Sequence, residues 1–322
     1  MKRPLGVGLL GLGTVGSAVA RAFAERSRHL DEAAGRPLRL IAAAVRDPRR
    51  ERDAGDVPVT GDLFAVLDDP EIAVVVEAIG GTDPARDVLL AAFERGKHVV
   101  TANKELVARE WNALHEAARS AKRELRYEAS VAAAVPIVAA VRTLGAVRTR
   151  ALRGVLNGTS TYILSRVEQG ASFEEGLAEA QARGYAEADP SADVDGWDPA
   201  YKLSILTSLL RGVWLDPADV RRTSLRSVSA DEVRRAREGG GLVRYLATAE
   251  LDEGRVRARV APESLPASLA SVIAGAPGPE NVIEIETDMA APRILFAGPG
   301  AGGTATASAI LGDVLAIARS TP

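Results

Sequence analysis

The feature that most constrains this chain is a glycine motif near its N-terminus, Gly11–Gly16, which reads Gly-Leu-Gly-Thr-Val-Gly. The apolar run Leu5–Leu10 before it predicts a strand, and the amphipathic stretch Val15–Arg26 predicts a helix. In that context the first glycine permits a tight turn, the second lets backbone approach a pyrophosphate, and the third lets helix and strand pack closely. We therefore predict a dinucleotide site at the helix N-terminus, with a glycine-rich packing turn as the alternative. The residues concerned are Gly11, Gly13, Thr14, Val15 and Gly16.

The first third of the chain continues to alternate short apolar runs with amphipathic stretches, the pattern of βαβ units around a parallel sheet. The last elements predicted there are one helix over 104–121 and a strand over 125–128. After Pro136 the pattern changes to helices, and from residue 242 onward to short alternating strands. The predicted fold is therefore α/β. A Rossmann-type doubly wound parallel sheet spans 1–135 and is completed by a C-terminal helix, 303–322, while 136–302 forms a second, α+β domain.

Composition narrows the classes of function that this chain can perform. The 322 residues are 47% hydrophobic and 26% charged, which supports folded cores and excludes a disordered or collagen-like chain. A net charge of −3 gives no sign of a nucleic-acid surface. There is no cysteine, so disulfides, thiolate metal sites and cysteine nucleophiles are excluded, and the three histidines are scattered. No apolar run reaches the about 18 residues of a membrane helix, and no targeting signal is recognised, so we expect a cytoplasmic protein.

The end of the second predicted strand, Leu38–Val45, carries the residues that choose between cofactors. An acidic residue there binds the ribose 2′-hydroxyl of NAD, whereas an arginine accommodates the 2′-phosphate of NADP. This chain has both, since Arg46 and Asp47 are adjacent and two further arginines follow. Arg46 favours NADP, while Asp47 keeps NAD open. For any single arginine here, a solvated charged turn is the alternative interpretation.

The densest chemistry lies in the segment 184–202, which has five carboxylates within a dozen residues. An acidic surface loop is the plain interpretation, and the spacing departs from that of a calcium loop. Asp198 before Pro199 predicts a helix N-cap with proline at the first helical position. Lys202 follows one turn later, where a carboxylate would keep its ammonium charged and aimed as a proton donor to a carbonyl oxygen. An ordinary capped helix with an ion pair remains the alternative.

Two further segments place polar side chains where ligands bind. Lys104 follows the predicted strand His98–Thr101, at the strand end where doubly wound sheets hold ligands. The run Asn157–Thr161 puts small hydrogen-bond donors at the start of a helix, an arrangement suited to a substrate carboxylate. Each segment also has a plain interpretation as a helix cap.

Taken together, these segments resemble homoserine dehydrogenase along nearly the whole chain. The matching pieces are Gly11–Gly16, Glu77–Gly81, Thr101–Lys104, Glu128–Pro136, Asn157–Tyr162, Gly184–Lys202 and Gly298–Gly303. The resemblance implies reversible reduction of L-aspartate 4-semialdehyde to L-homoserine by NADPH or NADH, in threonine, methionine and isoleucine biosynthesis. It also implies a homodimer, and a short form without the regulatory ACT domain of longer relatives.

The same resemblance implies roles for individual residues of the second domain. Lys202 matches the proton donor and Asp198 its partner in substrate binding. Glu187 matches the carboxylate that receives the substrate amino group. The other residues implied to line this substrate pocket are Asp193, Tyr185, Thr159 and Gly158.

Further roles fall on the first domain and on the end of the chain. Lys104 matches a lysine near both substrate and nicotinamide, and Gly80 and Gly302 match glycines that approach the cofactor. A monovalent cation such as Na⁺ would be held mainly by backbone oxygens of Glu128, Val131, Ala133 and Val135. Because Ala133-Ala134 stands where the family usually has at least one glycine, we expect this loop to be altered.

Two rival functions keep the same architecture. One is another NAD(P)-dependent reductase of an amino-acid semialdehyde, which would need a different set of polar pocket residues. The other is a non-catalytic NADPH-binding regulator, which would have no need of a proton donor. In each case the partner is a small molecule, and neither nucleic acid nor a membrane is expected.

Overall fold

The computed structural model describes residues 3–50, 52, 55–252, 254–266, 273, 280–289 and 293–321. The chain divides into two compact units, the first made of 1–136 with 302–322 and the second of 137–301. In the described part of the chain, no helix combines the length and the apolar character that a membrane span requires.

The first unit is built on a parallel sheet of six strands. These are β1 Leu5–Leu10, β2 Leu38–Ala44, β3 Val59–Thr60, β4 Ile72–Glu77, β5 His98–Thr101 and β6 Leu125–Arg126. Their spatial order is β3-β2-β1-β4-β5-β6, so the chain reverses its direction of winding between β1 and β4. This is the strand order of dinucleotide-binding Rossmann folds, in which ligands lie outside the carboxyl ends of the strands at that point. The predicted α/β fold class is confirmed.

Helices cover the sheet of the first unit. They are α1 Thr14–Glu25, α2 Ser27–Ala34, α3 Leu63–Asp68, α4 Ala85–Glu94, α5 Lys104–Arg109 and α6 Trp111–Ala121. The single helix predicted over 104–121 is wrong, because Glu110 leaves the helical region with φ −105° and ψ 25°. Its carboxylate instead accepts a hydrogen bond from Arg86 Nε at 2.9 Å. The strand predicted to reach Glu128 ends at Arg126, and Glu128–Ser130 forms a 3₁₀ turn whose first N–H donates to Asp313 Oδ2 at 2.8 Å.

The second unit contains a mixed sheet in the order β12-β11-β7-β9-β10-β8, antiparallel except where β8 pairs with β10. Its strands are β7 Thr149–Val155, β8 Arg221–Arg222, β9 Leu242–Asp252, β10 Arg255–Leu265, β11 Glu280–Thr287 and β12 Arg293–Pro299. Its helices are α7 Ile137–Thr143, α8 Gly158–Glu168, α9 Phe173–Ala182, α10 Ser191–Val194, α11 Trp197–Arg211 and α12 Ala230–Glu238. The longest of them, α11, is buried over most of its length.

The chain ends in helix α13, Gly303–Ser320, which packs within the first unit. Ile310, Val314 and Ile317 are fully buried in the same apolar cluster as Val7 of β1 and Val19 of α1. The helix starts in close contact with the glycine turn of that unit, because a Cβ on Gly303 would lie 2.9 Å from the carbonyl oxygen of Thr14. The last segment of the chain therefore supports the N-terminus of α1.

Candidate active site

The turn between β1 and α1 has the properties that a pyrophosphate cradle requires. Gly11 has φ +99°, and a Cβ there would lie 2.5 Å from the carbonyl oxygen of Ala78. A Cβ on Gly16 would lie 1.9 Å from the carbonyl oxygen of Gly11, so this close approach of the helix to the turn needs glycine. A Cβ on Gly13 would meet nothing within 4 Å, and this residue caps α1 without a side chain. The first turn of α1 has no acidic residue, so its amides and dipole fit a phosphate anion.

A second group of residues lies where β4 and β5 end, at the same edge of the sheet as the glycine turn. Gly80 and Gly81 both have positive φ, +80° and +69°. Asn103 caps α5 and donates from Nδ2 to the carbonyl oxygen of Gly81 at 2.6 Å. Lys104 is therefore the first residue of α5 and is half-buried. The sequence predicted Gly80 and Lys104 as functional residues but gave no role to Glu77, whose buried carboxylate accepts hydrogen bonds from this loop.

The cofactor-selecting turn after β2 has an exposed arginine and an engaged carboxylate. Arg46 is exposed. Asp47 Oδ1 accepts a hydrogen bond from the backbone N–H of Arg49 at 3.1 Å, and it pairs with Arg49 Nε at 3.5 Å. One oxygen of the carboxylate that would bind a ribose hydroxyl is thus engaged within its own turn.

The helix that carries Lys202 begins earlier than the sequence predicts. The predicted N-cap role of Asp198 is wrong, because α11 starts at Trp197 and its N-cap is Gly196 with φ +81°. A Cβ on Gly196 would lie 2.5 Å from Tyr245 Oη, so the position requires glycine for space as well as for conformation. Asp198 is therefore the second residue of the helix, and its side chain is available for contacts elsewhere.

Lys202 and Asp198 form a buried ion pair within the second unit. Lys202 Nζ donates to Asp198 Oδ2 at 2.9 Å and to the carbonyl oxygen of Leu156 at 2.7 Å. The two residues are only 7% and 5% exposed. A buried ammonium held by a carboxylate and a carbonyl has a fixed direction and is kept charged, as a proton donor needs to be.

Asn157 extends this pair into a network that the sequence did not predict. Its Nδ2 donates to Asp198 Oδ2 at 2.9 Å and to Asp193 Oδ1 at 2.7 Å. Its Oδ1 accepts from the backbone N–H of Ser160 at 2.7 Å and so caps α8. One amide therefore joins the start of α8 to two acidic residues of the segment 184–202. The signal available in the sequence was the polar run Asn157–Thr161, which predicts a cap but not its partners.

The remaining predicted pocket residues lie close to this network along the chain but differ in their contacts. Gly158 begins α8, and Thr159 Oγ1 donates to the carbonyl oxygen of Tyr185 at 2.8 Å. Tyr185 is 44% exposed, and its ring centroid lies 5.1 Å from that of Tyr162. Glu187 is exposed, and its carbonyl oxygen accepts from Gln181 Nε2 at 3.0 Å. The structure thus links Tyr185 to Thr159, whereas the Glu187 carboxylate is not brought into the lysine network described above.

The four residues expected to hold a cation share one buried turn of the first unit. They are Glu128, Val131, Ala133 and Val135. Ala133 has φ +44°, so an alanine occupies the left-handed region that favours glycine. Among the described residues, no cluster of three or more histidines, cysteines or acidic residues could hold a metal ion. A cation in this turn would therefore depend on backbone oxygens.

A pyrophosphate cradle of this kind, at the switch point of a sheet in this order, places the chain among the NAD(P)-dependent oxidoreductases. The family model described as "Homoserine dehydrogenase, NAD binding domain" matches residues 11–128, and the model "Homoserine dehydrogenase" matches 136–315. The chain belongs to the homoserine dehydrogenase family. The resemblance seen in the sequence and the predicted enzyme class are both confirmed.

Individual relatives agree with this assignment. The chain is 41% identical to a homoserine dehydrogenase of Corynebacterium glutamicum, over 98% of this chain and 72% of that protein. It is 38% identical to one of Pseudomonas aeruginosa, over 99% and 73%. A homoserine dehydrogenase structure from Thiobacillus denitrificans superposes with a TM-score of 0.93 at 40% identity, covering 98% of this chain and 73% of that one. A hyperthermophilic archaeal homoserine dehydrogenase mutant in complex with NADPH gives a TM-score of 0.82 at 25% identity, with 99% of each chain covered.

Proposed function

We propose that this chain catalyses the reversible reduction of L-aspartate 4-semialdehyde to L-homoserine, with Lys202 as the proton donor to the carbonyl oxygen. The reaction belongs to threonine, methionine and isoleucine biosynthesis. The observation that carries the proposal is the buried pair of Lys202 and Asp198, held by Leu156 and Asn157 in a member of this family. An ammonium fixed in this way has the charge and the proton that reduction of an aldehyde requires.

The chemistry of the site follows from the charge that develops on the substrate. A bound reduced nicotinamide supplies the hydride that the aldehyde carbon accepts. As negative charge builds on the carbonyl oxygen, Lys202 stabilises it and delivers a proton, a contribution of about 10²–10⁴-fold. The amine that remains can still donate to the carbonyl oxygen of Leu156, so the side chain keeps its direction for the reverse reaction. Asp198, itself held by Asn157, keeps the Lys202 side chain in place throughout.

Substrate recognition is assigned to the polar residues near this pair along the chain. We assign the substrate ammonium to the carboxylate of Glu187, which is exposed, with Asp193 and Tyr185 in the same pocket. The substrate carboxylate is assigned to Gly158 and Thr159, where the N-terminus of α8 provides backbone donors and a positive dipole end. Opposite charges at the two ends of the substrate would orient its aldehyde toward the reacting groups.

Cofactor binding is assigned to the first unit, and NADP is preferred over NAD. The glycine turn 11–16 fits the pyrophosphate, and Arg46 is exposed at the end of β2, whereas Asp47 is engaged with Arg49. Gly80, Lys104 and Gly302 are assigned to the same cofactor.

We accordingly assign cofactor binding to a domain of residues 1–135 with 303–322. Residues 136–302 are assigned to substrate binding and to dimerisation in a homodimer. A Na⁺-type cation on Glu128, Val131, Ala133 and Val135 would organise the turn after β6.

The direct test is turnover of L-homoserine at alkaline pH with NADP or NAD, followed by the absorbance of the reduced nicotinamide. We expect rapid turnover with NADP, slower turnover with NAD, and a loss of about 10²–10⁴-fold in kcat for Lys202→Met. Lys122→Met removes an exposed lysine and serves as the matched control. NADPH binding without turnover would overturn the proposal in favour of a regulator. Turnover of a different amino-acid semialdehyde would favour another reductase.

A further inference from the structure

A second buried polar network lies in the first unit, at the ends of β4 and β5. Its centre is Glu77, the last residue of β4, which is 0% exposed. Its Oε1 accepts hydrogen bonds from the backbone N–H groups of Ile79 at 2.7 Å and of Gly80 at 3.1 Å. The carboxylate therefore fixes the conformation of the loop that follows its own strand.

The other carboxylate oxygen connects this loop to the neighbouring strand. Glu77 Oε2 accepts the hydroxyl of Thr101, the last residue of β5, and Thr101 Oγ1 in turn accepts the backbone N–H of Asn103 at 2.9 Å. Asn103 donates from Nδ2 to the carbonyl oxygen of Gly81 at 2.6 Å, which closes the ring of hydrogen bonds. Asn103 Oδ1 also caps α5 through the N–H of Leu106, so the ring ends where Lys104 begins its helix.

Burying an acid in this position is costly, which suggests that it does more than fill space. Burial raises the pKa of the Glu77 carboxyl, while the hydrogen bonds from Thr101, Gly80 and Ile79 act in the opposite direction. A buried polar network rigidifies the backbone that it joins when each of its members has a partner. Here the joined segments are the two loops at the sheet edge where a doubly wound fold binds its ligand.

We infer that Glu77 is a positioning residue for the nicotinamide cofactor. Through Thr101 and Asn103 it sets the loop of Gly80 and the start of α5, and so the position of Lys104, relative to the bound nucleotide. The inference rests on the proposed assignment of Gly80 and Lys104 to the cofactor. It adds that the pre-formed shape of this edge, and not only the residues that touch the ligand, determines the affinity for NADPH.

The test compares variants of this ring in the full-length chain by NADPH fluorescence titration and thermal unfolding. Glu77→Gln keeps one acceptor but places an amide NH₂ against the Thr101 hydroxyl, and Thr101→Val removes that hydroxyl altogether. We expect each to raise the NADPH dissociation constant about tenfold, whereas Thr101→Ser, which keeps the hydroxyl, should bind as the parent does. Lys97→Met is the matched control, because Lys97 is a buried residue whose Nζ donates to the carbonyl oxygens of Asp69 and Ile72 at the opposite end of β4. It should lower the unfolding temperature without changing the dissociation constant.

Lys104→Met separates a failure of this inference from a failure of the proposed function. If Lys104→Met weakens NADPH binding but Glu77→Gln and Thr101→Val do not, the positioning role of Glu77 is refuted and the cofactor assignment stands. If Lys104→Met does not change NADPH binding either, the assignment of Lys104 to the cofactor is wrong. If Glu77→Gln does not fold, the comparison of Thr101→Val with Thr101→Ser decides, since both leave the carboxylate in place. Equal binding by those two variants would overturn the inference.

Discussion

The buried pair of Lys202 and Asp198 allows folding and catalysis to be measured separately. Lys202→Met removes the ammonium and leaves the Asp198 carboxylate buried, with Asn157 Nδ2 still donating to it. At 2.9 Å, and with an effective dielectric constant of about 20, the lost attraction is about 6 kcal/mol, partly offset by the cost of burying both charges. Removing one partner of a buried pair costs about 3–5 kcal/mol, so we expect the free energy of unfolding to fall by about 3 kcal/mol.

Adding Asp198→Asn to Lys202→Met should restore most of that stability without restoring turnover. The double variant contains no stranded charge, and the new amide can still accept a hydrogen bond from Asn157. Replacing both members of a buried pair by neutral groups is often close to neutral, so we expect a free energy of unfolding within about 1 kcal/mol of the parent. Turnover should remain about 10²–10⁴-fold lower, because the proton donor is still missing.

The single and double variants are compared with the parent by two assays. Stability is measured by urea unfolding, followed by the fluorescence of the three tryptophans, and activity by turnover of L-homoserine. Parental turnover in the double variant would remove Lys202 from the mechanism. If the double variant is no more stable than Lys202→Met alone, the negative charge left on Asp198 is not what destabilises the single variant. The electrostatic explanation of the lost stability would then be wrong.

Three further predictions concern the first unit. Ala133 is buried at φ +44°, so Ala133→Gly should leave the free energy of unfolding within about 1 kcal/mol of the parent, whereas the β-branched Ala133→Val should lower it by about 2 kcal/mol. Burial and the charge of Arg123 lower the pKa of His98. The contribution of His98 to the free energy of unfolding is therefore complete above about pH 6.5 and is lost as the pH falls below that value. His98→Asn should flatten this part of the stability profile, measured by urea unfolding. Arg46→Ala should reduce kcat/KM for NADPH about tenfold and leave kcat/KM for NADH unchanged. Arg28→Ala, at another exposed arginine, is the control and should change neither value. Equal losses with both cofactors would contradict the NADP assignment.

Much of the fold was predictable from the sequence because its signals are local. Strands such as Leu5–Leu10 and His98–Thr101 were predicted with the observed bounds, since both are short apolar runs between turn signals. Helix α12 was missed although its capping box is readable, with Ser229 and Glu232 each accepting the other's backbone N–H. The break at Glu110 had no such signal, because its carboxylate pairs with Arg86, which lies 24 residues earlier.

The candidate site was predictable only as far as its contacts are close in sequence. The pair of Asp198 and Lys202 follows from a spacing of four residues on one helix face. Asn157 joins that pair across 41 residues, and Thr101 meets Glu77 across 24, so only the folded chain brings them together. The predicted N-cap of Asp198 failed for a related reason, since the space that requires glycine at position 196 is filled by Tyr245, from a distant strand.

Two buried lysines in the described part of the chain, Lys97 and Lys202, donate to backbone carbonyls, and their comparison shows what the Asp198 carboxylate adds. The chain has five lysines among its 40 basic residues. Lys97 Nζ donates to two carbonyl oxygens, and burial lowers the pKa of its ammonium. Lys202 also donates to a carbonyl oxygen, but its second acceptor is the carboxylate of Asp198, which favours the charged form that burial alone would disfavour. Arginine does not give up its proton, so lysine at position 202 agrees with the proton transfer proposed for this residue.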